Sequence, residues 1–245
     1  MDKSLQDLTK SFKEEFEQTA SSEASAARAS GLDPTQKLVV DVLTEWAKDR
    51  LVWKRNNPQR ASFRQVRGPG SARRPPTLPP NLRLLLLGTA GTGKTHTAKV
   101  GITEVRILLE SYDSVVTMAF SGVAAANLGT GSKTIDSIFH TNGANAVEDL
   151  VGPDLDNFVR ELEHVELLVI DEISTCGAAS LEVIHRRMTQ VARVLWQRRF
   201  RCQPPDDMGP FGGIGVLLMG DFAQIPPVMA TSLMDGMLIM ESAGS

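Results

Sequence analysis

Cysteine is scarce in this chain of 245 residues, which contains only Cys176 and Cys202. Neither belongs to a C-x-x-C pair or a Cys/His arrangement, so the sequence indicates neither a disulfide framework nor a zinc site. Long apolar runs are also missing, because no stretch approaches the roughly 20 residues of a membrane span, and the N-terminus lacks a signal-peptide core. We therefore expect a soluble protein in a reducing intracellular setting, with no membrane partner.

An excess of positive charge is absent too, since the formal net charge is −3. Any contact with a nucleic acid must therefore come from local basic patches rather than from overall charge. Apolar residues, by contrast, make up 42% of the chain. This composition supports a sizeable core, and the length accommodates one large domain or two small ones.

The first part of the chain combines a polar tail with one predicted helix. Residues 1–31 mix Lys, Glu, Gln, Ser and Ala, and we expect a flexible N-terminal tail there. Its acidic residues argue against a mitochondrial transit peptide without excluding one. The domain proper, residues 32–245, opens with a helix that has Asp33 before Pro34 as its N-cap and apolar residues at 39, 40, 43 and 46.

A basic segment follows this helix. Eight Arg or Lys residues and no acid lie between Arg50 and Pro76, and prolines continue to Pro80. We predict no regular structure there, and a basic, proline-rich insertion at about 54–80. The segment is interpreted as solvated and flexible. The alternative is an electrostatic contact with nucleic-acid backbone or a nuclear-import signal.

The most informative stretch is Gly-Thr-Ala-Gly-Thr-Gly-Lys-Thr at 88–95, directly after the apolar run 84–87. Its glycines allow a tight turn that points backbone N–H groups inward, and a helix predicted from Lys94 to about Leu109 adds its positive dipole end. This pattern predicts a nucleotide phosphate site in which Lys94 reaches the β- and γ-phosphates and the Thr95 hydroxyl ligates Mg²⁺. The expected nucleotide contacts are Gly88, Thr89, Ala90, Gly91, Thr92, Gly93, Lys94, Thr95 and His96.

Strands and helices alternate through the rest of the chain. Strands are predicted at 115–120, 167–170 and 216–219, and helices at 122–128, 134–139 and 178–199. This alternation predicts an α/β fold, a mostly parallel sheet with helices on both faces and ligands at the carboxyl ends of the strands. The last helix has an apolar stripe opposite Arg186, Arg187, Arg193, Arg198 and Arg199, which favours an amphipathic surface helix over a DNA-binding face.

Polar residues follow two of these strands. Asp171 ends the apolar run 167–170 and is expected to complete the Mg²⁺ shell opposite Thr95, while Glu172 would orient or deprotonate the attacking water. Gln224 lies in the polar turn after the last strand. Its amide is predicted to meet the γ-phosphate, and the alternative is a loop residue that satisfies backbone groups.

Several blocks together resemble one family, the Pif-type (petite integration frequency) DNA helicases, relatives of the RecD helicases in superfamily 1B. Besides the loop at 88–95, they are Ser-Gly-Val-Ala-Ala-Ala-Asn at 121–127, Lys-Thr-Ile-Asp-Ser-Ile-Phe at 133–139, Ile-Asp-Glu-Ile-Ser at 170–174, Pro-Phe-Gly-Gly-Ile at 210–214 and Gly-Asp-Phe-Ala-Gln-Ile-Pro-Pro-Val at 220–228. The last block is the most specific, because phosphate loops occur in many ATPases.

The resemblance implies a RecA-like P-loop NTPase domain, the first motor domain of a 5′-to-3′ DNA helicase that hydrolyses Mg-ATP. It implies that Gln36 contacts adenine and that Ser121, Gly122, Thr134 and Ser137 lie near the backbone of single-stranded DNA. It further implies a monomer that acts in DNA repair, recombination or telomere maintenance, with the nucleus favoured over the mitochondrion and no small-molecule substrate except the nucleotide.

Two departures from the family pattern qualify this interpretation. Asp136 stands where the family usually has His, which puts an anion near the expected DNA phosphates. The second RecA-like domain is not in the sequence, and with it are missing the arginines that would stabilise charge on the transferred phosphoryl group. The hydrolysis expected of this chain alone is therefore weak. The alternatives are a nucleotide-binding module that binds ATP and DNA without unwinding, and an unrelated P-loop ATPase or kinase.

Overall fold

A parallel sheet lies at the centre of the computed structural model, which describes residues 31–58, 76–129, 131–140, 148–223 and 231–233. Within these ranges the strands are β1 (Arg83–Leu87), β2 (Val115–Ala119), β3 (Lys133–Thr134), β4 (Leu167–Asp171) and β5 (Gly215–Gly220). Their order across the sheet is β1-β5-β4-β2-β3, and each neighbouring pair runs parallel. The predicted parallel sheet is confirmed. Its central strands β4 and β5 are nearly continuous apolar sequence because both of their faces are covered.

Helices cover both faces of this sheet, as predicted. In the described ranges they are α1 (Pro34–Asn56), α2 (Lys94–Leu108), α3 (Gly122–Leu128), α4 (Ile135–Phe139), α5 (Gly152–Leu162) and α6 (Ala178–Phe200). Leu167 and Val169 share one core with α1, α2 and α3, whereas Leu168 and Ile170 share the other with α4, α5 and α6. Alternate residues of β4 thus enter different cores, as the period of two in a strand requires. None of the helices described here combines the length and apolarity needed to cross a bilayer.

The sequence did not predict two of these elements. Helix α5 begins at Gly152 with a proline in its first turn. A Gly-Pro pair usually indicates a turn, although proline is well accommodated in the first turn of a helix. Strand β3 has only two residues and is too short to show a period. Residues 1–30 of the predicted tail, residues 59–75 of the basic insertion, and Gln224 lie outside the described ranges.

Helix α1 begins where the sequence predicts and ends later. The Asp33 side chain accepts hydrogen bonds from the backbone of Thr35 and Gln36, and Gln36 returns one to the Asp33 backbone N–H, which completes a capping box. The helix then continues to Asn56, so the prediction that regular structure is absent from Arg50 onward is wrong for residues 50–56. The reason is burial, because the stripe of Val39, Leu43 and Trp46 continues into Arg50, which faces the sheet rather than solvent.

Helix α6 has the predicted apolar stripe, but two of its arginines do not lie on an exposed face. Arg187 is 3% exposed and donates to the backbone carbonyl of Phe139. The Arg199 guanidinium lies 5.2 Å from the centre of the Trp53 ring and donates to the carbonyl of Asn57. Placing Arg187 opposite the apolar stripe was therefore wrong, and Arg199 is only partly exposed, since carbonyl oxygens and ring faces can replace water around a guanidinium.

A buried ion cluster joins α1 to the sheet at the amino end of β4. Glu166, which is 8% exposed, accepts from the Arg50 Nε at 2.6 Å and also pairs with the Lys54 ammonium. Arg50, 6% exposed, donates in addition to the carbonyl of Gly213 at 3.1 Å. Burial alone would raise the pKa of Glu166, but the attraction of Arg50 and Lys54 outweighs it and holds that pKa below its usual value.

Glu166→Gln should destabilise the fold by about 3 kcal/mol, because it leaves the buried Arg50 charge without a compensating carboxylate. Urea unfolding followed by circular dichroism measures the change. The matched control is Glu163→Gln, since Glu163 forms a more exposed pair with His164 at 3.6 Å and surface pairs contribute less than about 1 kcal/mol. Equal effects of the two substitutions would contradict a structural role for the cluster.

The loss of stability in Glu166→Gln should depend on pH. Because the pKa of Glu166 is lower in the folded chain than in the unfolded chain, its stabilisation is complete above the unfolded pKa and is lost as pH falls through the folded pKa. The stability difference between the native chain and Glu166→Gln should therefore shrink in acid.

Candidate functional site

The loop between β1 and α2 has a backbone that only glycine accommodates well. Gly91 and Gly93 have φ angles of +82° and +79°. A Cβ on Gly93 would lie 2.6 Å from the Gln36 Nε2, and a Cβ on Gly88 would lie 2.7 Å from the Thr92 Oγ1. The left-handed φ values and these close approaches explain the glycine spacing of the motif. The loop leads directly into the N-terminus of α2 at Lys94.

Two side chains fix this loop from within the chain. The Lys94 ammonium donates to the backbone carbonyls of Gly88 and Thr89, the latter at 2.9 Å, so its charge lies over the loop. The Gln36 Nε2 donates to the Thr92 carbonyl at 3.2 Å, while its Oε1 accepts from the Asp33 N–H at 3.1 Å. Gln36 thus ties the first turn of α1 to the loop. Its role as an adenine contact remains a prediction.

The loop forms one wall of a cleft at the carboxyl ends of the strands. We call it the phosphate-loop cleft, and its lining residues are Ala90, Gly91, Thr92, Gly93, Lys94, Thr95, His96, Ala124, Asn127, Asp171, Glu172, Gly220 and Asp221. The parallel pairing of β1, β5 and β4 explains the assembly, because parallel strands end at the same edge of a sheet. Residues far apart in the sequence, from the loop, β4 and β5, therefore meet in one cleft.

The two acids at the carboxyl end of β4, Asp171 and Glu172, have different surroundings. Burial raises the pKa of Asp171, and the neighbouring Glu172 charge adds to this effect, while the Glu172 backbone N–H and Lys94 act in the opposite direction. The Asp171 Oδ1 accepts from that N–H at 2.8 Å. Glu172 has a left-handed backbone, with φ 55° and ψ 41°, and its Oε2 accepts from the Ser121 hydroxyl at 3.1 Å. Such a backbone is uncommon for a residue with a side chain and is typical of functional sites.

Asp221 and Asn127 also line the cleft, and sequence reasoning did not assign them a role. Asp221 directly follows β5 and accepts from the Ala223 N–H at 3.0 Å. Its position repeats that of Asp171, an acid at the carboxyl end of a central strand, and this signal could have identified it. Asn127 lies on α3, one helical turn after Ala124, and its sequence context carries no comparable signal.

The oxygen donors of the cleft fit Mg²⁺ rather than a softer metal. Thr95 offers a hydroxyl and Asp171 a carboxylate, which are ligand types that Mg²⁺ prefers. Across the described residues, His, Cys, Asp and Glu form no group of three that could hold a metal ion. A magnesium ion here would take its other ligands from phosphate oxygens and water, which is how Mg²⁺ usually binds at nucleotide sites.

The residues predicted to contact DNA lie at the same edge of the sheet. Ser121 directly precedes α3 and Gly122 begins it, while Thr134 ends β3 and Ser137 lies in the first turn of α4. The Ser121 hydroxyl caps α3 by accepting from the Ala124 N–H at 3.1 Å, and Thr134 caps α4 by accepting from the Ser137 N–H at 3.2 Å. Parallel pairing of β2 with β3 brings these two helix starts side by side. The structure brings the four residues together, and their contact with DNA remains a prediction.

The fold and the cleft define a class of protein: a P-loop α/β domain with acids at the ends of its central strands. A sequence model of the PIF1-like helicase family matches residues 78–240. The chain therefore belongs to the PIF1-like helicase family, and the resemblance seen in its motifs is confirmed.

The chain is also similar to curated relatives and to solved structures. The ATP-dependent DNA helicase Pif1 of Psychrobacter sp. is 33% identical over 151 residues, which are 59% of this chain and 20% of that protein. The ATP-dependent DNA helicase RRM3 of Saccharomyces cerevisiae is 31% identical over 152 residues, 58% of this chain and 18% of that protein. This chain thus spans about a fifth of the length of these relatives. The structure of Bacteroides Pif1 bound to ssDNA has a TM-score of 0.45 and 27% identity, and the match covers 65% of this chain and 33% of that chain.

Gly93→Ala should weaken ATP binding by at least about tenfold, because an added Cβ collides with Gln36 and the left-handed φ becomes strained. Titration with a fluorescent ATP analogue measures the loss. Gly31→Ala is the control, since nothing lies within 4 Å of an added Cβ there. Both variants should keep the far-ultraviolet circular dichroism of the native chain. Unchanged affinity in Gly93→Ala would show that the loop does not hold the nucleotide.

Proposed function

We propose that residues 32–245 form the first motor domain of a 5′-to-3′ ATP-dependent DNA helicase, which binds Mg-ATP, hydrolyses it weakly and binds single-stranded DNA. The observation that carries the proposal is the phosphate-loop cleft, where the glycine loop, Lys94 and the acids at the carboxyl end of β4 meet at one sheet edge. The family assignment supports the same activity, since its relatives are named ATP-dependent DNA helicases.

The loop and Lys94 bind the nucleotide phosphates. Backbone N–H groups of residues 88–95 and the N-terminus of α2 suit anionic oxygens, and the Lys94 ammonium exchanges neutral carbonyl partners for charged phosphate partners. Thr95 and Asp171 would hold Mg²⁺, which supplies charge neutralisation at the β- and γ-phosphates. Gln36 is placed by its bond to Thr92 at the loop, from which it contacts adenine.

Glu172 is the proposed group for water activation. It lies in the cleft directly after Asp171, so its carboxylate can accept a proton from, or orient, a water aligned with the γ-phosphate. Gln224, three residues beyond Asp221 in the sequence, is proposed to meet the γ-phosphate oxygens. In this proposal Glu172 acts on the attacking water and Gln224 on the transferred phosphoryl group.

Single-stranded DNA is proposed to cross the starts of α3 and α4. Ser121, Gly122, Thr134 and Ser137 offer hydroxyls and backbone N–H groups, which suit phosphate oxygens without reading bases. Asp136 is exposed in the first turn of α4 and weakens binding there by repelling phosphate. The chain is proposed to bind the strand as a monomer inside the cell, in DNA repair, recombination or telomere maintenance in the nucleus.

A nucleotide-binding module without turnover is the second candidate, and one observation favours it. Of the described residues that line the phosphate-loop cleft, Lys94 is the permanent cation and none is an arginine. An arginine that stabilises the transferred phosphoryl group contributes about 10³ to 10⁵ in rate in related ATPases. Binding of ATP and DNA would then proceed with little hydrolysis.

The deciding experiment is ATP hydrolysis with and without single-stranded DNA. We expect slow hydrolysis that the strand accelerates and that Lys94→Ala abolishes, because the variant lacks the cation that holds the phosphates. Glu172→Gln should retain ATP affinity and lose at least about 10² in kcat, because general acid–base groups contribute rate rather than binding. Residual hydrolysis of equal rate in Lys94→Ala would identify a contaminating ATPase. ATP binding without turnover would favour the second candidate.

A further inference from the structure

Ser121 and Glu172 form a hydrogen bond between two parts of the protein that the proposed function treats separately. The Ser121 hydroxyl belongs to the expected DNA surface, and Glu172 belongs to the hydrolytic cleft. The distance between the Ser121 Oγ and the Glu172 Oε2 is 3.1 Å, although the residues are 51 positions apart in the chain. Strand pairing explains the contact, because β2 and β4 are neighbours and Ala119 is in register with Asp171.

The Ser121 hydroxyl has one proton, and in the structure it donates that proton in a hydrogen bond to Glu172. The oxygen accepts from the Ala124 N–H at 3.1 Å, so its acceptor capacity serves the cap of α3 while its donor serves the carboxylate. A phosphate oxygen docked at the start of α3 needs the same donor. One proton cannot satisfy two anions, so a bound phosphate and the Glu172 carboxylate compete for it.

The bond also determines where the Glu172 side chain lies. Its backbone is in the left-handed region, with the Thr175 N–H and hydroxyl bonded to its carbonyl at 2.9 Å and 2.8 Å. The Glu172 backbone is therefore fixed by Thr175, and the hydrogen bond from Ser121 directs the Glu172 carboxylate toward the start of α3. A carboxylate that accepts from Ser121 is drawn toward the DNA surface rather than toward a nucleotide phosphate.

We propose that Ser121 is a positioning residue through which single-stranded DNA controls Glu172. Without a strand, the Ser121 hydroxyl holds the carboxylate; a strand phosphate takes the hydroxyl and releases Glu172 to the attacking water. This inference rests on the proposed function, because it needs a DNA phosphate near Ser121 and a role for Glu172 in hydrolysis. Linkage makes the coupling reciprocal, so removing Glu172 must favour DNA binding through Ser121.

A double-mutant cycle on DNA affinity tests the competition without requiring turnover. Binding of a fluorescent oligo-dT strand is measured by anisotropy for the native chain, Glu172→Ala, Ser121→Ala and the double variant. Removing the Glu172 charge should tighten DNA binding whether residue 121 is Ser or Ala, because the repulsion between carboxylate and phosphate is lost in both cases. Any extra tightening when residue 121 is Ser measures the contribution of the hydroxyl that Glu172 no longer holds. We expect this extra factor to be at least about threefold, within the range of couplings between contacting residues.

The outcomes of the cycle separate the inference from the proposed function. If the effects of Glu172→Ala and Ser121→Ala on DNA affinity simply multiply in the double variant, the proposed competition is wrong. The proposed DNA binding and hydrolysis would be unaffected by that result. Absence of DNA binding by the native chain overturns the proposed DNA surface and the inference with it. A coupling of the expected sign supports both.

Hydrolysis by two further variants distinguishes positioning from helix capping. Ser121→Asp keeps a good cap for α3 but offers no proton and repels Glu172, whereas Ser121→Thr keeps both functions. We expect Ser121→Asp to raise kcat without DNA by about fivefold, to leave KM for ATP unchanged and to lose most of the DNA stimulation. Ser121→Thr should resemble the native chain. A DNA-free kcat in Ser121→Asp equal to the native value would overturn the inference, because the cap alone would then explain the contact.

Discussion

The parallel pairing of β1, β5, β4 and β2 is the constraint on which the site depends. Backbone hydrogen bonds fix the register, so that Leu87 pairs with Gly220 and Ala119 with Asp171. Each strand therefore delivers the polar residues that follow it to the same edge. The chemistry of the cleft is in this sense a product of strand register, and a slip of one residue in any pair would turn its polar end away from the others.

Helix α1 runs from the carboxyl ends of the parallel strands to their amino ends. Its first turn reaches the phosphate loop through Gln36, and its last turns reach the amino end of β4 through Arg50 and Lys54. With 23 residues it is roughly 35 Å long, enough to span the sheet along the strand direction. The buried ion cluster fixes the end of α1 to the amino end of β4, and the Gln36 contact fixes its start to the phosphate loop. Helix α1 thus helps to position the loop relative to the strands.

The sequence predicted much of the fold because its signals were local. Glycine spacing before Lys94, apolar runs ending in acids, and Asp33 before Pro34 each specify a loop, a strand end or a helix start within a few residues. The misplaced elements depended on partners far away in the chain. Arg50 and Arg187 look like solvated cations until Glu166 and the Phe139 carbonyl are brought to them by the fold.

The candidate site shows the same division. Membership of the cleft followed from the motif positions for residues 90–96, Asp171 and Glu172, whereas the predicted contacts Gly88 and Thr89 are not among its lining residues. The contact between Ser121 and Glu172 had no sequence signal, because it arises from the order of strands β2 and β4 rather than from any spacing along the chain. Gln36 was selected by resemblance alone, and only the structure connects it to the loop.

The double bonding of Gln36 has a consequence for how genetic variants at this position are interpreted. One side chain closes the capping box of α1 and supports the Thr92 carbonyl, so any replacement changes the helix start and the loop together with base contact. A fall in ATP affinity in such an allele would therefore arise even if adenine never touched residue 36. The first two effects act equally on every nucleoside triphosphate, whereas base contact does not. Preference for ATP over GTP, rather than affinity for ATP, is thus the phenotype that reports base recognition by Gln36.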